Sequence, residues 1–270
     1  MQLEIRYRTE YQYTRAVRGA LTALRLVPTD RRGVTVLSAH VSAAPGTVVR
    51  TYTDGWGTRV DLVEAPVAHD RAVFEITARV ETAPVEGDFQ PTPLERSLLS
   101  GDSPRAPREA IAGLGWGVGG EGQSWPAVES ALLWIPQRFT YSVGSTDAGT
   151  TVAEFIELGA GVCQDFAHTF LALLRCWGWC ARYVSGYFFS DVPEAGRIEA
   201  DASHAWVEVY RPGVGWVGLD PTAGAYADDR YVPIGYGRDY DDIRPVRGVF
   251  LGQAGQSQSS HLEMQAGGQQ

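Results

Sequence analysis

The sequence lacks any apolar run of the roughly 20 residues that a transmembrane helix needs, so we expect no membrane partner. Its first residues alternate as a strand does and carry no apolar core of a signal peptide, which makes the cytoplasm the expected location. Cysteine is scarce as well. Three cysteines are an odd number, which argues against a disulfide framework and suits a reducing compartment.

Clustered positive charge and cofactor motifs are also lacking. A formal net charge of −9 argues against nucleic acid as a partner, because phosphate binding needs clustered basic residues. No phosphate loop or dinucleotide fingerprint is present, so no cofactor is expected. Cys176 and Cys180 have no partners at zinc spacing, and the pairs Asp228-Asp229 and Asp241-Asp242 lie in no calcium loop. We therefore expect no metal site, and we expect the acidic pairs to form a solvated face.

The regions outside the centre of the chain differ in composition. Residues 1–82 alternate in short strand-length runs between turn residues, which predicts a small antiparallel β-sandwich. Prolines recur through 83–108, which predicts an extended connection. Residues 253–270 are rich in Gly, Gln and Ser, which predicts a mostly disordered tail, with one short strand at 261–264 as the alternative.

Residues 109–252 mix helical and strand patterns. Thr151 and Glu154 form a capping box that opens a short helix. A longer apolar-periodic helix follows from Cys163, and Gly178 can close it at its C-terminal end. Strands are predicted at 181–190, 203–211 and 215–219. The expected fold is α+β, a central helix packed on an antiparallel sheet and preceded by the β-rich region.

Cys163 opens its helix directly after the small residues Gly159 and Gly161. A thiol in the first turn lies where the helix dipole and free backbone N–H groups favour an anion, so its pKa is expected to fall. The alternative is a small buried hydrophobic residue, which describes most free cysteines.

Two later segments favour catalysis. His204 begins one predicted strand and Asp220 ends the next, so a hairpin would place the two side by side. A helix-borne cysteine facing a histidine and an aspartate is an arrangement of nucleophile, base and orienting residue.

Three segments carry a family resemblance: GVCQDFAH (161–168), SHAWVEVY (203–210) and GWVGLDPT (215–222). They resemble the signature blocks of the transglutaminase-like superfamily, and most closely its bacterial members with a β-rich N-terminal region. The resemblance implies a papain-like catalytic core in which Cys163, His204 and Asp220 form the triad. Three blocks in the right order are more specific than any one alone.

The resemblance and the spacing suggest further site residues. The backbone N–H of Cys163 is an expected oxyanion donor, and Tyr141 is the candidate for a second donor from upstream of the nucleophile. Gln164 and Trp206 are further oxyanion or cleft candidates, although Trp206 could equally belong to the core of the hairpin.

Two residues near the triad have alternative interpretations. His168, five positions after Cys163 on the same helix, is read together with Asp165 as a structural contact. Asp201 could orient His204, but Asp220 matches the family block and is preferred.

The resulting prediction is cysteine-dependent acyl transfer on peptide or protein amides through a thioester. Hydrolysis is favoured, since no second large domain is apparent that would present an amine, but transamidation uses the same triad. The alternative is a non-catalytic binding module that retained the fold. The β-rich N-terminal region is also a candidate surface for a homo-oligomer.

Overall fold

The computed structural model describes residues 1–85, 87–114, 120–190 and 203–267. The strands are β1 (Gln2–Leu24), β2 (Val34–Ala44), β3 (Thr47–Thr53), β4 (Arg59–Ala65), β5 (His69–Thr82), β6 (Thr140–Tyr141), β7 (Ala160–Gly161), β8 (Ala181–Phe188), β9 (His204–Arg211), β10 (Gly215–Asp220), β11 (Ala225–Tyr226), β12 (Tyr231–Gly237), β13 (Val246–Leu251) and β14 (Gln256–Ala266). The α-helices are α1 (Pro93–Leu99), α2 (Trp125–Arg138), α3 (Val152–Leu158) and α4 (Cys163–Cys176), and 3₁₀ turns cover Arg108–Leu114, Gly120–Gln123 and Tyr240–Asp242.

The first sheet is organised on β1, a strand of 23 residues. Its N-terminal half pairs antiparallel with β5 and its C-terminal half with β4, while β2 and β3 extend the two sides. Alternate residues such as Leu3, Ile5 and Tyr7 are buried, as expected for a strand with one face on a core. The predicted antiparallel pairing of the N-terminal region is therefore present.

The prediction of a mostly disordered C-terminal tail is wrong. β13 and β14 both pair antiparallel with β1, so the sheet has seven strands and is not built from residues 1–82 alone. β14 runs beside β1 from Leu3 to Tyr13 and buries Leu262. Although its sequence is rich in Gln and Ser, β14 is a strand, and its backbone pairs with N–H and C=O groups of β1 that would otherwise lie at a sheet edge. Residues 268–270 lie outside the described part of the chain.

The connection over 83–108, predicted to be extended, also contains the helix α1, which was not predicted. Thr92 caps this helix and Glu95 reaches back to the Thr92 backbone N–H, with Pro93 at the first helical position. Proline is tolerated there, because the first N–H of a helix has no intrahelical partner. The position of the domain boundaries stays a prediction.

The second sheet has the strand order β11-β10-β9-β8-β12 and is antiparallel throughout. The helix α4 packs on it, and the run from Asp165 to Arg175 is buried. The helix ends where Gly178 adopts a left-handed φ of 83°, as its sequence position predicted. The α+β class, with a central helix on an antiparallel sheet, is confirmed.

The two sheets share one hydrophobic core. The Tyr187 ring of β8 lies 5.4 Å from the Tyr7 ring of β1, and the Tyr187 hydroxyl donates a 2.8 Å hydrogen bond to the Leu26 carbonyl. Val232 and Ile234 of β12 join the same cluster. The first sheet is thus held against the second, next to the end of the molecule that carries Cys163 and His204.

Candidate active site

Cys163 is the first residue of α4, and a buried carboxylate fixes the turn before it. Asp165 Oδ2 accepts hydrogen bonds from the Val162 backbone N–H at 2.9 Å and from the Thr146 hydroxyl at 2.7 Å. A Cβ atom added to Gly161 would lie 2.5 Å from the same oxygen, so only glycine fits there. The half-buried thiol is therefore held at the positive end of the helix dipole, where an anion is favoured.

His204 and Asp220 meet across the hairpin of β9 and β10. The two strands pair antiparallel up to Leu219 opposite Val207, which brings the beginning of one strand to the end of the other. His204 Nε2 donates to Asp220 Oδ2 at 2.7 Å, and both side chains are buried. The juxtaposition predicted from the two strands is present.

Asp220 has hydrogen-bond partners on both carboxylate oxygens. Oδ1 accepts from the backbone N–H groups of Thr222 at 2.8 Å and Ala223 at 3.3 Å. Oδ2 accepts from the Tyr231 hydroxyl at 2.9 Å in addition to His204. Donors of this kind stabilise the ionised carboxylate and fix its orientation.

The charge of the pair follows from these contacts. Burial alone disfavours the imidazolium, but the negative charge and hydrogen bond of Asp220, together with a side-chain hydrogen bond to Cys163, raise the pKa of His204 to about 10. Burial alone would raise the pKa of Asp220, yet the contacts with His204 and Tyr231 lower it below its ordinary value. At neutral pH this arrangement is an imidazolium between the Asp220 carboxylate and the Cys163 sulfur.

Cys163 and His204 line the same cavity, whose volume is about 450 Å³. Nε2 of His204 is engaged by Asp220, which leaves Nδ1 as the ring nitrogen for the thiol. The structure therefore brings together the three residues predicted as a triad, in the order thiol, imidazole and carboxylate. This arrangement can activate a thiol for attack on a carbonyl carbon.

The opposite wall of the cavity comes from the first sheet. This wall carries tyrosine rings and small polar groups of β1, β13 and β14: Tyr7, Tyr11, Tyr13, Thr22, Phe250, Gln256, Gln258 and Ser260. Sequence reasoning did not connect these strands with the site. The sequence pattern that could have indicated this wall is the set of tyrosines at 7, 11 and 13, because a strand places alternate residues on one face.

The remaining site candidates separate into two groups. Tyr141 and Gln164 line the cavity with Cys163, and Tyr141 is held there by parallel pairing of β6 with β7. Trp206 does not line it. The indole is buried behind the imidazole of His204, with ring centroids 6.1 Å apart and nearly parallel planes, so the structure assigns it to the hairpin core rather than to the cleft.

His168 makes a structural contact, as its helix position indicated. Its Nε2 accepts a 3.2 Å hydrogen bond from the Tyr240 backbone N–H, and burial lowers its pKa to about 3. The ring is therefore neutral and turned away from the chemistry. Asp201, the alternative orienting residue, lies outside the described residues.

Arginines engage three of the four carboxylates in the acidic pairs, for which a solvated face was predicted, and the side chains of Asp228 and Asp229 remain partly exposed. Asp228 pairs with Arg230, Asp242 with Arg238, and Asp241 with both Arg105 and Arg244.

Within residues 1–85, 87–114, 120–190 and 203–267, no group of three or more His, Cys, Asp or Glu side chains is placed to hold a metal ion. In the same ranges, every helix is too short or too polar to cross a membrane.

Comparison with known proteins agrees with this geometry. Residues 114–221 match the transglutaminase-like superfamily, and residues 3–81 match the bacterial transglutaminase-like N-terminal region. A solved structure from Cytophaga hutchinsonii, provisionally described as a cysteine protease, superposes with a TM-score of 0.79 at 22% identity and covers 100% of this chain and 92% of its own. That likeness supports the fold.

Relatives by sequence are mostly uncharacterized. A Mycobacterium leprae protein is 27% identical, with coverage of 93% of this chain and 94% of its own length. A Mycobacterium tuberculosis protein is 46% identical over 118 residues, which span 42% of this chain and 38% of that protein. A protein-glutamine gamma-glutamyltransferase of Pseudomonas aeruginosa is 32% identical over 103 residues, covering 36% of this chain and 15% of that protein. The chain belongs to the transglutaminase-like superfamily and carries the bacterial N-terminal region of that family.

Proposed function

We propose that the protein is a cysteine-dependent acyltransferase that cleaves peptide or protein amides through a thioester, with water as the main acceptor. The observation that supports this proposal is that Cys163 and His204 meet at one cavity while Asp220 is hydrogen-bonded to Nε2 of the same imidazole. A fold by itself implies no activity, whereas this arrangement is what nucleophilic catalysis at a carbonyl requires.

In the proposed reaction, the Cys163 thiolate attacks the amide carbonyl carbon and the carbonyl electrons move to oxygen. The backbone N–H of Cys163 faces that oxygen from the helix terminus, and Tyr141 is the proposed second donor. The imidazolium of His204 gives its proton to the leaving nitrogen, the C–N bond breaks and a thioester remains. An acceptor then attacks the thioester while neutral His204 takes the acceptor's proton, and the C–S bond breaks.

Water is the favoured acceptor because the cavity presents hydroxyl and amide groups, which hold water rather than exclude it. An amine acceptor would make the same site a transamidase. All 23 basic residues of the chain are arginine, so no lysine side chain is present for self-crosslinking. Any lysine that serves as the amine acceptor therefore lies outside this sequence.

The test of the nucleophile is the pH dependence of alkylation by iodoacetamide, read by peptide mass for all three cysteines. Fast labelling of Cys163 at pH 6 that is lost in His204→Ala is the expected result, since a thiolate held by imidazolium reacts below the ordinary thiol pKa of about 8.5. Burial raises the pKa of Cys180, which serves as a slow internal reference. His261→Ala, at an exposed histidine, is the matched control.

If labelling of Cys163 rises only near pH 8.5 and His204→Ala has no effect on it, the enzymatic function is wrong. The alternative of a non-catalytic binding module would then be preferred. The acceptor is tested separately with peptide amides. New amino termini or free ammonia indicate hydrolysis, and incorporation of an added fluorescent alkylamine indicates transamidation.

A further inference from the structure

The charge of the active-site cavity differs from that of the whole chain. The protein carries a formal charge of −9, yet no Asp or Glu is among the described residues that line the cavity. Two cationic groups line it, the imidazolium of His204 and the guanidinium of Arg244. The imidazolium is already paired with the Asp220 carboxylate and the Cys163 sulfur, so among the described lining residues Arg244 is the cation that can attract an anionic ligand.

Arg244 is held in place by its neighbours. Its Nε lies 2.9 Å from Asp241 Oδ1 and its Nη2 contacts the same oxygen, while its Cζ lies 5.7 Å from the centre of the Tyr240 ring. Its Nη1 donates no hydrogen bond to the described part of the chain. A guanidinium fixed on one edge and one face keeps its remaining N–H groups available for a ligand.

The carboxylate of Asp241 is shared between Arg244 and a second arginine. Arg105 also engages Asp241, with its Nε 3.0 Å from Oδ2 and its Nη2 3.3 Å from Oδ1. The buried carboxylate of Asp239 also acts on Arg105, and its Oδ2 accepts from the Arg105 backbone N–H. The side chain of Arg244 lines the cavity and is 37% exposed, so its free N–H groups remain accessible.

Arg244 is connected to the nucleophile through aromatic side chains of the same cavity. The Tyr240 ring lies 6.5 Å from the Tyr183 ring, and Tyr183 is close enough to Cys163 for the thiolate charge to act on its hydroxyl. All four residues line the cavity of about 450 Å³. The cavity therefore connects Cys163 with Arg244 by way of the two tyrosines.

We propose that Arg244 is a specificity-determining residue that binds a carboxylate of the acyl donor, so that the enzyme selects peptides with an acidic group near the cleaved amide. This inference rests on the proposed function. The wall from the first sheet adds uncharged polar groups, since Tyr7, Gln258 and Ser260 line the cavity and are hydrogen-bonded to one another. A carboxylate on arginine forms strong charge-assisted hydrogen bonds.

The test uses pairs of thiol reagents that differ by one charge. N-iodoacetyl-glycine, N-iodoacetyl-β-alanine and N-iodoacetyl-γ-aminobutyrate are each compared with the matching primary amide, and the rate of Cys163 alkylation is measured. The expected result is a carboxylate preference of about tenfold for at least one spacer length, which a charged hydrogen bond readily provides. The preference should shrink with added salt, because charge attraction outside the deep interior is screened.

Variants of Arg244 test whether this residue causes the carboxylate preference. Arg244→Gln is expected to abolish it and Arg244→Lys to restore part of it, while the rates with the amide reagents stay near those of the natural chain. Arg108→Gln, at an exposed arginine paired with Asp102 outside the cavity, is the matched control and should keep the full preference. Amide-reagent rates and unfolding midpoints show that Arg244→Gln has kept its fold.

The outcomes separate the two proposals. If Cys163 is labelled fast at pH 6 but at equal rates by the carboxylate and amide reagents, the inference about Arg244 is wrong and the proposed function is unaffected. The same conclusion follows if Arg244→Gln keeps the full carboxylate preference. If Cys163 is labelled slowly at pH 6 and Arg244→Gln abolishes a carboxylate preference, the proposed enzymatic function is wrong. The cleft then binds carboxylates without catalysis.

Discussion

The hydroxyl of Tyr231 donates a 2.9 Å hydrogen bond to Asp220 Oδ2, the oxygen that also accepts from His204. Tyr231 begins β12, at the edge of the sheet next to β8, so it reaches the triad from a strand that the hairpin does not include. It touches neither the thiol nor the cavity and therefore acts as a positioning residue.

Tyr231→Phe should slow alkylation of Cys163 at pH 6 several-fold, because Asp220 loses a donor that stabilises its charge and fixes its direction. The free energy of unfolding should fall by about 1.5–3 kcal/mol, the usual value of a hydrogen bond to a charged group. Tyr187→Phe removes a buried hydrogen bond to the Leu26 carbonyl away from the triad and is the control. An equal loss of labelling in both variants would contradict the positioning role.

The stabilising effect of the His204–Asp220 pair should depend on pH. The folded-state pKa of His204, about 10, lies above the ordinary value of 6.5, so the folded chain binds the extra proton between those values. The stabilisation is therefore complete below pH 6.5 and is lost as the pH rises through about 10.

The check is the difference in free energy of unfolding between the natural chain and Asp220→Asn, measured in urea at pH 6, 8 and 10. The difference should be largest at pH 6 and smallest at pH 10. A difference that stays constant over this range would mean that His204 carries no extra proton in the fold.

Gly161→Ala should disturb the nucleophile without touching it. The added Cβ would lie 2.5 Å from Asp165 Oδ2 and 2.7 Å from the Phe155 ring, so the cap of α4 must shift. We expect a loss of about 1–3 kcal/mol in unfolding free energy and slower alkylation of Cys163. Gly55→Ala, where a Cβ meets no atom within 4 Å, is the control. Unchanged labelling and stability would show that the turn accommodates a side chain.

Removal of the C-terminal strand should weaken both the fold and the cavity. A chain that ends at Gly252 loses the pairing of β14 with β1, the buried Leu262 and the wall residues Gln258 and Ser260. We expect the free energy of unfolding to fall by about 3 kcal/mol or more, since a buried leucine alone contributes about 1.5–3 kcal/mol. A chain that ends at Ala266 is the control. If the shorter chain unfolds at the same urea concentration as the control, β14 does not stabilise the sheet.

Features set by neighbouring residues were readable from the sequence. The capping box of Thr151 and Glu154, the α4 helix from Cys163 and the left-handed Gly178 depend on spacings of a few residues, and the structure has all three. The hairpin of His204 and Asp220 spans only 16 positions, so strand alternation and one turn were sufficient to predict it.

Features set by distant residues were not readable. Ser260 meets Tyr7 across 253 positions, and the Gln- and Ser-rich composition around it predicted disorder. Tyr231 is one of 12 tyrosines, and no local pattern distinguishes the one that reaches Asp220.

The sequence by itself thus determined the nucleophile helix, the hairpin and the fold class, because helix caps, strand alternation and turns are local preferences. Only the tertiary structure decided which surface faces Cys163 and which charge remains at the cavity. Pairing of β14 with β1 and the sharing of Asp241 between Arg105 and Arg244 join segments far apart in the chain. Such contacts are selected by the packing of the two sheets as a whole, and local sequence preferences do not encode them.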